Sequence, residues 1–254
     1  MESETSIPDV MATTSDHACA GSTVRLEVFD DQQWADHVAQ RWTSYVHDHP
    51  TARVCLPTGE TLRPVYTRCA PVIDLSTTTV FLLDEFDLPK GSPARCDSML
   101  DRDLLGSLTE PPGNFHRLDV NTTDPEEECA RFDALIRDGG LNLTLLGLGR
   151  NGHLGLNEPG TTRDSPTRAV DLAPTTTSAV RRYDPGATAV CGMTLGLSGI
   201  LASDEIWLLV TGSHKAATLE RMMNGPVGSG LPASYLRNHP NTTVFADRSA
   251  AARL

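Results

Sequence analysis

Leu141-Asn142-Leu143-Thr144-Leu145-Leu146-Gly147-Leu148-Gly149-Arg150-Asn151-Gly152-His153-Leu154-Gly155-Leu156-Asn157-Glu158-Pro159-Gly160 sets two textures back to back. Leu141 to Leu146 is a short, mostly apolar run stopped by Gly147. Such a run, bounded by a breaker, predicts a strand buried on both faces. From Gly147 to Gly160 five of fourteen residues are glycine, so the backbone can turn sharply and approach a ligand closely. Between the glycines lie an amide (Asn151), an imidazole (His153) and a carboxylate (Glu158). Pro159 ends regular structure just after the Glu, and a loop can bring the pair together. A His tuned by a carboxylate is what general acid–base chemistry needs near neutral pH. The competing reading is a purely structural turn. A dinucleotide site is disfavoured, because the GxGxxG spacing is missing.

The same alternation runs outward in both directions. Short apolar runs occur at 24–29, at 53–57 before Thr58-Gly59, at 79–83 before Asp84-Glu85, at 205–210 before Thr211-Gly212, and at 242–245. Longer amphipathic stretches lie between them, at 32–47, 125–137 and 215–223. In the first of these, Trp34, Val38, Trp42 and Tyr45 recur at helical spacing and predict a stripe facing the core. Buried strands alternating with helices predict an α/β fold: a mostly parallel twisted sheet with helices on both faces, three-layered and Rossmann-like. Chemistry is then expected at the carboxyl ends of the strands. Residues 1–22 are polar, Ser/Thr-rich and aperiodic, and are expected to be a flexible tail before a single domain over 23–254.

Composition removes whole classes of function. The chain has 254 residues with 21 Lys+Arg against 33 Asp+Glu, a net charge of −12, and no basic run for nucleic acid to grip. No apolar stretch is long enough to span a membrane. The six cysteines are scattered singly, with no CxxC pair and no secretory leader, and are expected to be free buried thiols rather than disulfides or metal ligands. An acidic, intracellular globular protein without a zinc site is the expectation.

Three further places could carry chemistry. Thr58-Gly59-Glu60-Thr61, directly after an apolar run, offers free backbone N–H groups and two hydroxyls, a cradle for phosphate. It lacks the Gly-Lys-Ser/Thr ending of an ATP-binding loop, and an ordinary strand-to-helix turn remains the alternative. Asp84 closes another buried run, where desolvation raises a carboxyl toward working pH and suits it as a general base; a helix cap or turn is the alternative. Arg182 and Lys215 supply positive charge, Lys215 at a helix start where the dipole opposes it.

In this order the pieces resemble the glucosamine-6-phosphate deaminase family, within a wider group that includes 6-phosphogluconolactonases. The resemblance rests on Pro57 to Thr61, Leu83-Asp84-Glu85-Phe86, Gly149 to Gly160, Ser165 to Arg168, Gly192 to Gly196 and Gly212 to Ala216. The wording of the 154–160 segment looks closest to the galactosamine-6-phosphate deaminase/isomerase branch. The resemblance implies isomerisation of a 2-amino-2-deoxyhexose 6-phosphate to the ketose with loss of ammonia. It implies Asp84 as the base moving a proton from C2 to C1, and His153 as the ring-opening group, oriented by Asn151 and Glu158. It also implies Thr58, Gly59, Glu60, Thr61, Arg182 and Lys215 around the phosphate, a cytoplasmic enzyme that needs no metal or organic cofactor, and a monomer or a homo-oligomer.

Departures from the pattern accompany it. Asn151 stands where many relatives have Asp, Glu60 where a smaller residue is common, and Pro166 where Arg is common. The chain stops soon after Asp247 without the extension that serves allostery in some relatives, so weak control or none is expected. A lactonase is disfavoured because Asn157-Glu158-Pro159 is intact. A non-catalytic sugar-phosphate sensor is disfavoured because Asp84, His153 and Glu158 are all retained.

Overall fold

The computed structural model describes residues 24–254, so the tail expected over 1–22, and Cys19 with it, lie outside the described residues. The strands are β1 (Arg25–Phe29), β2 (Arg53–Leu56), β3 (Thr79–Leu82), β4 (Asp84–Phe86), β5 (Asn114–His116), β6 (Leu143–Gly147), β7 (Arg168–Asp171), β8 (Cys191–Thr194), β9 (Glu205–Val210) and β10 (Thr242–Asp247). The α-helices are α1 (Trp34–Asp48), α2 (Arg63–Cys69), α3 (Cys96–Asp103), α4 (Pro125–Arg137), α5 (Pro174–Val180), α6 (Leu197–Ile200) and α7 (Ala216–Asn224).

Seven strands form the main sheet in the order β1-β10-β9-β6-β2-β3-β5, with every pairing parallel. Because side chains alternate across a strand, each apolar run feeds two cores. Trp207 and Leu209 of β9 pack with α1, α2 and α3, while Ile206, Leu208 and Val210 pack with α4, α6 and α7. The helix stripe holds as expected, with Trp34, Val38 and Trp42 buried and Tyr45 packed at its margin. Burying a side chain of that size is worth about 1.5–3 kcal/mol, so the two layers dominate the stability.

The chain runs from β2 outward to β3 and from β6 outward to β9, in opposite directions. β2 and β6 are neighbours, so their carboxyl ends flank the crevice where strand order reverses. Two expectations need correction. Asp84-Glu85 is neither a turn nor the start of a helix that follows it in the chain: one residue after β3 ends, the chain enters a second, three-stranded antiparallel sheet, β4-β8-β7. The periodicity missed it because its strands are three or four residues long. The five described cysteines are free, but Cys191 is only half-buried, at the start of β8 beside Asp87.

Candidate active site

The glycine-rich loop leaves β6 and folds back on itself through a bridge between Leu154 and Asn157. Its glycines are placed by sterics. The His153 ring lies flat against Gly149, where an added Cβ would sit 2.4 Å from three ring atoms. Gly155 has φ +58°, and a Cβ there would press on Thr194 Oγ1 and Asp84 Oδ2 at 3.0 and 3.1 Å.

Asn151, His153 and Glu158 form one hydrogen-bonded unit. Asn151 Nδ2 donates to Glu158 Oε2 at 2.6 Å, and Asn151 Oδ1 lies 2.7 Å from His153 Nδ1. Glu158 Oε1 is 3.5 Å from the same ring nitrogen and accepts from the Thr176 hydroxyl. These donors, His153 first, hold the Glu158 carboxyl below its ordinary value. A carbonyl oxygen at Nδ1 favours the tautomer with its proton there, which leaves Nε2 free to accept one.

Beneath this loop lies Asp84, 8% exposed. Burial pushes its carboxyl up to about 6, against smaller opposing pulls from Cys96 and the charge of His153. Next to it Glu85 is fully buried, but its side chain takes the other direction. Its two carboxylate oxygens accept the backbone N–H groups of Cys96 and Asp97 at 2.8 and 3.0 Å, with Arg95 at 3.4 Å. Glu85 is therefore the cap that docks α3 beside Asp84.

Thr58, Gly59, Glu60 and Thr61 follow β2 across the crevice, and Gly59 turns the chain at φ +114°. The Glu60 side chain is drawn away from the turn, to Arg63 at 3.1 Å and the Tyr183 hydroxyl at 2.8 Å. That places the Arg182 segment against the loop, with Arg182 itself exposed. Lys215 comes from the far side, after β9. Burial, and secondarily the nearby Arg150, bring its ammonium down to about 8, and it donates to the Leu148 carbonyl at the root of the glycine-rich loop.

Several contributors escaped the sequence reading. Arg168 ties the Asn157 side chain to Thr161, at 2.9 and 3.1 Å, and so sets the turn that carries Glu158. Thr176, Tyr183, Thr194 and Cys96 lie on elements whose proximity only the fold creates. Among the described residues no three His, Cys, Asp or Glu side chains group as a metal would require, and no helix is long and apolar enough to cross a membrane. A groove of about 840 Å³ lies along α1 between Phe29, Tyr45 and Trp207 and includes none of these groups, whereas a smaller one of about 370 Å³ contains Glu158 and Arg168. Size alone does not locate the chemistry here; the perturbed carboxyl and its neighbours do.

A sealed carboxylate under an imidazole–amide–carboxylate loop, at the switch point of a parallel sheet, defines an α/β enzyme of proton transfer. The chain belongs to the glucosamine-6-phosphate isomerase/6-phosphogluconolactonase family, whose model matches residues 31–245. It is 33% identical to a glucosamine-6-phosphate deaminase of Rhodopirellula baltica, over 92% of this chain and 97% of that one. It is 35% identical to one from Pseudarthrobacter chlorophenolicus, over 81% and 82%. A solved monomeric glucosamine-6-phosphate deaminase superposes with a TM-score of 0.85 at 29% identity, covering 90% and 99%. The 6-phosphogluconolactonase of Thermotoga maritima, at 21% identity and a TM-score of 0.73 over 88% and 99%, shares the fold. The deaminases among these act, by name, on the glucosamine compound, and the galactosamine branch has no counterpart among them.

Proposed function

We propose that the protein converts glucosamine 6-phosphate, with water, to the ketohexose 6-phosphate and ammonia. The observation that carries this is the placement of a buried, proton-avid Asp84 directly beneath the His153–Asn151–Glu158 unit. In this reading His153 takes the proton from the anomeric hydroxyl and returns one to the ring oxygen, opening the pyranose. Asp84 removes the C2 proton and delivers it to C1, while a proton given up by the C2 ammonium ends on the C1 carbonyl oxygen, which becomes a hydroxyl. The nitrogen-bearing C2 is left as a ketimine, which water attacks, and ammonia leaves. Burial suits Asp84 to this step, because a carboxylate held near pH 6 is a stronger base than one near 4 and is still ionised at pH 7.

The substrate phosphate lies in the turn from Thr58 to Thr61, met by Lys215 and Arg182. Glu60 is compatible with a dianion because Arg63 and Tyr183 hold its carboxylate aside. Asn151 serves in place of an acid by bridging His153 to Glu158, so Glu158 alone supplies the negative charge. A phosphate dianion does not cross a bilayer unaided, which supports a cytoplasmic setting for a chemistry that draws on a phosphorylated sugar made in the cell. The likeness to a monomeric deaminase supports a monomer.

The test is ammonia release by the purified protein from glucosamine 6-phosphate and galactosamine 6-phosphate side by side, with 6-phosphogluconolactone as a third substrate. Release from the glucosamine compound is expected. Release from neither amino sugar, with lactone hydrolysis instead, overturns the proposal.

A further inference from the structure

Cys96 opens α3 with its sulfur 3.5 Å from Asp84 Oδ1, a distance at which a thiol donates to a carboxylate. The thiol has no freedom to be elsewhere. Its backbone N–H and that of Asp97 are held by the two oxygens of the fully buried Glu85, which Arg95 grips in turn. Thr58, on the phosphate-loop side, lies near the same sulfur, and Cys96 directs its own hydrogen toward Asp84. On the other flank Gly155 backs Asp84 Oδ2 so closely that a methyl group there would touch it. One oxygen of the carboxylate is thus tied to α3 and the other is aimed past the glycine-rich loop.

We propose that Cys96 is a positioning residue, orienting the Asp84 carboxylate for abstraction of the carbon-bound proton. The inference rests on the assignment of Asp84 as the base. Burial, followed by the charges of Asp84 and Glu85, drives the Cys96 thiol well above its ordinary range, so it stays protonated and donates to the carboxylate. A thiol is a weak donor. It fixes direction while giving the ionised carboxylate little stabilisation, so the effect of burial prevails. Oxygen or nitrogen donors in its place would anchor Asp84 equally well but make it a poorer base.

The other groups facing Asp84 are Cys55 from β2, Tyr66 from α2, Glu85 from its own strand and His153 from the loop. Burial drives Cys55 and Tyr66 upward, so they keep their protons through the working range. Glu85 is turned to the start of α3, and the His153 ring is the group whose positive charge, when it takes a proton, pulls the Asp84 carboxyl down.

The experiment follows the Asp84 carboxyl by its ¹³C resonance in ligand-free protein, assigned by its loss in Asp84→Asn, alongside the kinetics of ammonia release. Cys96→Ala is expected to raise the Asp84 midpoint by roughly half a pH unit and to lower kcat about tenfold, with KM within about twofold. Cys96→Ser restores a donor, and its midpoint should return to the wild-type value or below it, with most of kcat recovered. An unchanged midpoint in both variants overturns the inference, even if both are slower. Absence of ammonia release by the wild type instead removes the functional reading and leaves the carboxyl titration to stand alone.

Discussion

Replacing Asp84 by Asn should make the protein more stable while abolishing turnover. The carboxyl is raised from 3.8 to about 6 by burial, so ionising it costs more in the folded chain than in the unfolded one. That gap, at about 1.4 kcal/mol per pH unit, is worth about 3 kcal/mol. The sign follows from linkage: the folded state binds this proton more tightly, so the penalty is complete above about pH 6. It shrinks as pH falls from 6 toward 3.8, and is gone below. Asparagine keeps the shape and an acceptor oxygen for Cys96 but carries no charge. Its amide hydrogens need partners where the carboxylate needed none, a cost of about 1 kcal/mol. The net gain at pH 8 is about 2 kcal/mol, a rise in Tm of about 4–8 °C for a domain of this size. Urea unfolding of both proteins at several pH values between 8 and 4 measures the difference directly. Glu85 also titrates in this window, but it does so in both proteins and largely cancels. A variant no more stable than the wild type at pH 8, or a difference independent of pH, would refute the reasoning.

Other expectations concern the loops around that carboxylate. Gly149→Ala must displace the His153 ring, and a displacement of about 1 Å costs roughly a hundredfold in turnover; kcat/KM measured on protein whose circular dichroism is unchanged checks it. Asn151→Ala breaks the bridge from His153 to Glu158, and should lower kcat by roughly 10- to 100-fold with KM little altered. KM for the phosphorylated substrate should rise as pH passes about 8, where Lys215 loses its charge, and Lys215→Met should raise KM below about pH 8 and flatten that rise. Tyr183→Phe removes a partly exposed hydrogen bond to Glu60 worth about 1 kcal/mol, so KM should rise no more than about fivefold, a change read from initial rates.

Elements with a strong period were legible from the chain alone. The helix over Pro125–Arg137 and the strand over Glu205–Val210 coincide with the expected bounds, because each buries a whole stripe or both faces. Asn151, His153 and Glu158 were legible as a unit because the eight positions from Asn151 to Glu158 include Gly152 and Gly155, where a loop can close on itself. The hidden part was whatever the fold assembles from distant segments. Nothing local marks Glu85 as the cap of α3, or Cys96 as the neighbour of Asp84, since both depend on how β4 leaves the main sheet. Lys215 was expected at a helix start, and it occupies the residue before α7, where its cost is burial more than dipole.

That single residue between β3 and β4 has a consequence for how the chain tolerates change in length. Leu83 is all that separates the parallel sheet from the antiparallel one, and side-chain direction alternates from residue to residue across it. Adding or deleting one residue there would turn Asp84 toward the opposite face and bring Glu85, or Leu83, into its place. The exposed turn at Lys90-Gly91, with open space around Gly91, has no such constraint, and an inserted segment there would leave both sheets in register. Length variation in this protein is therefore cheap a few residues past the base and prohibitive just before it.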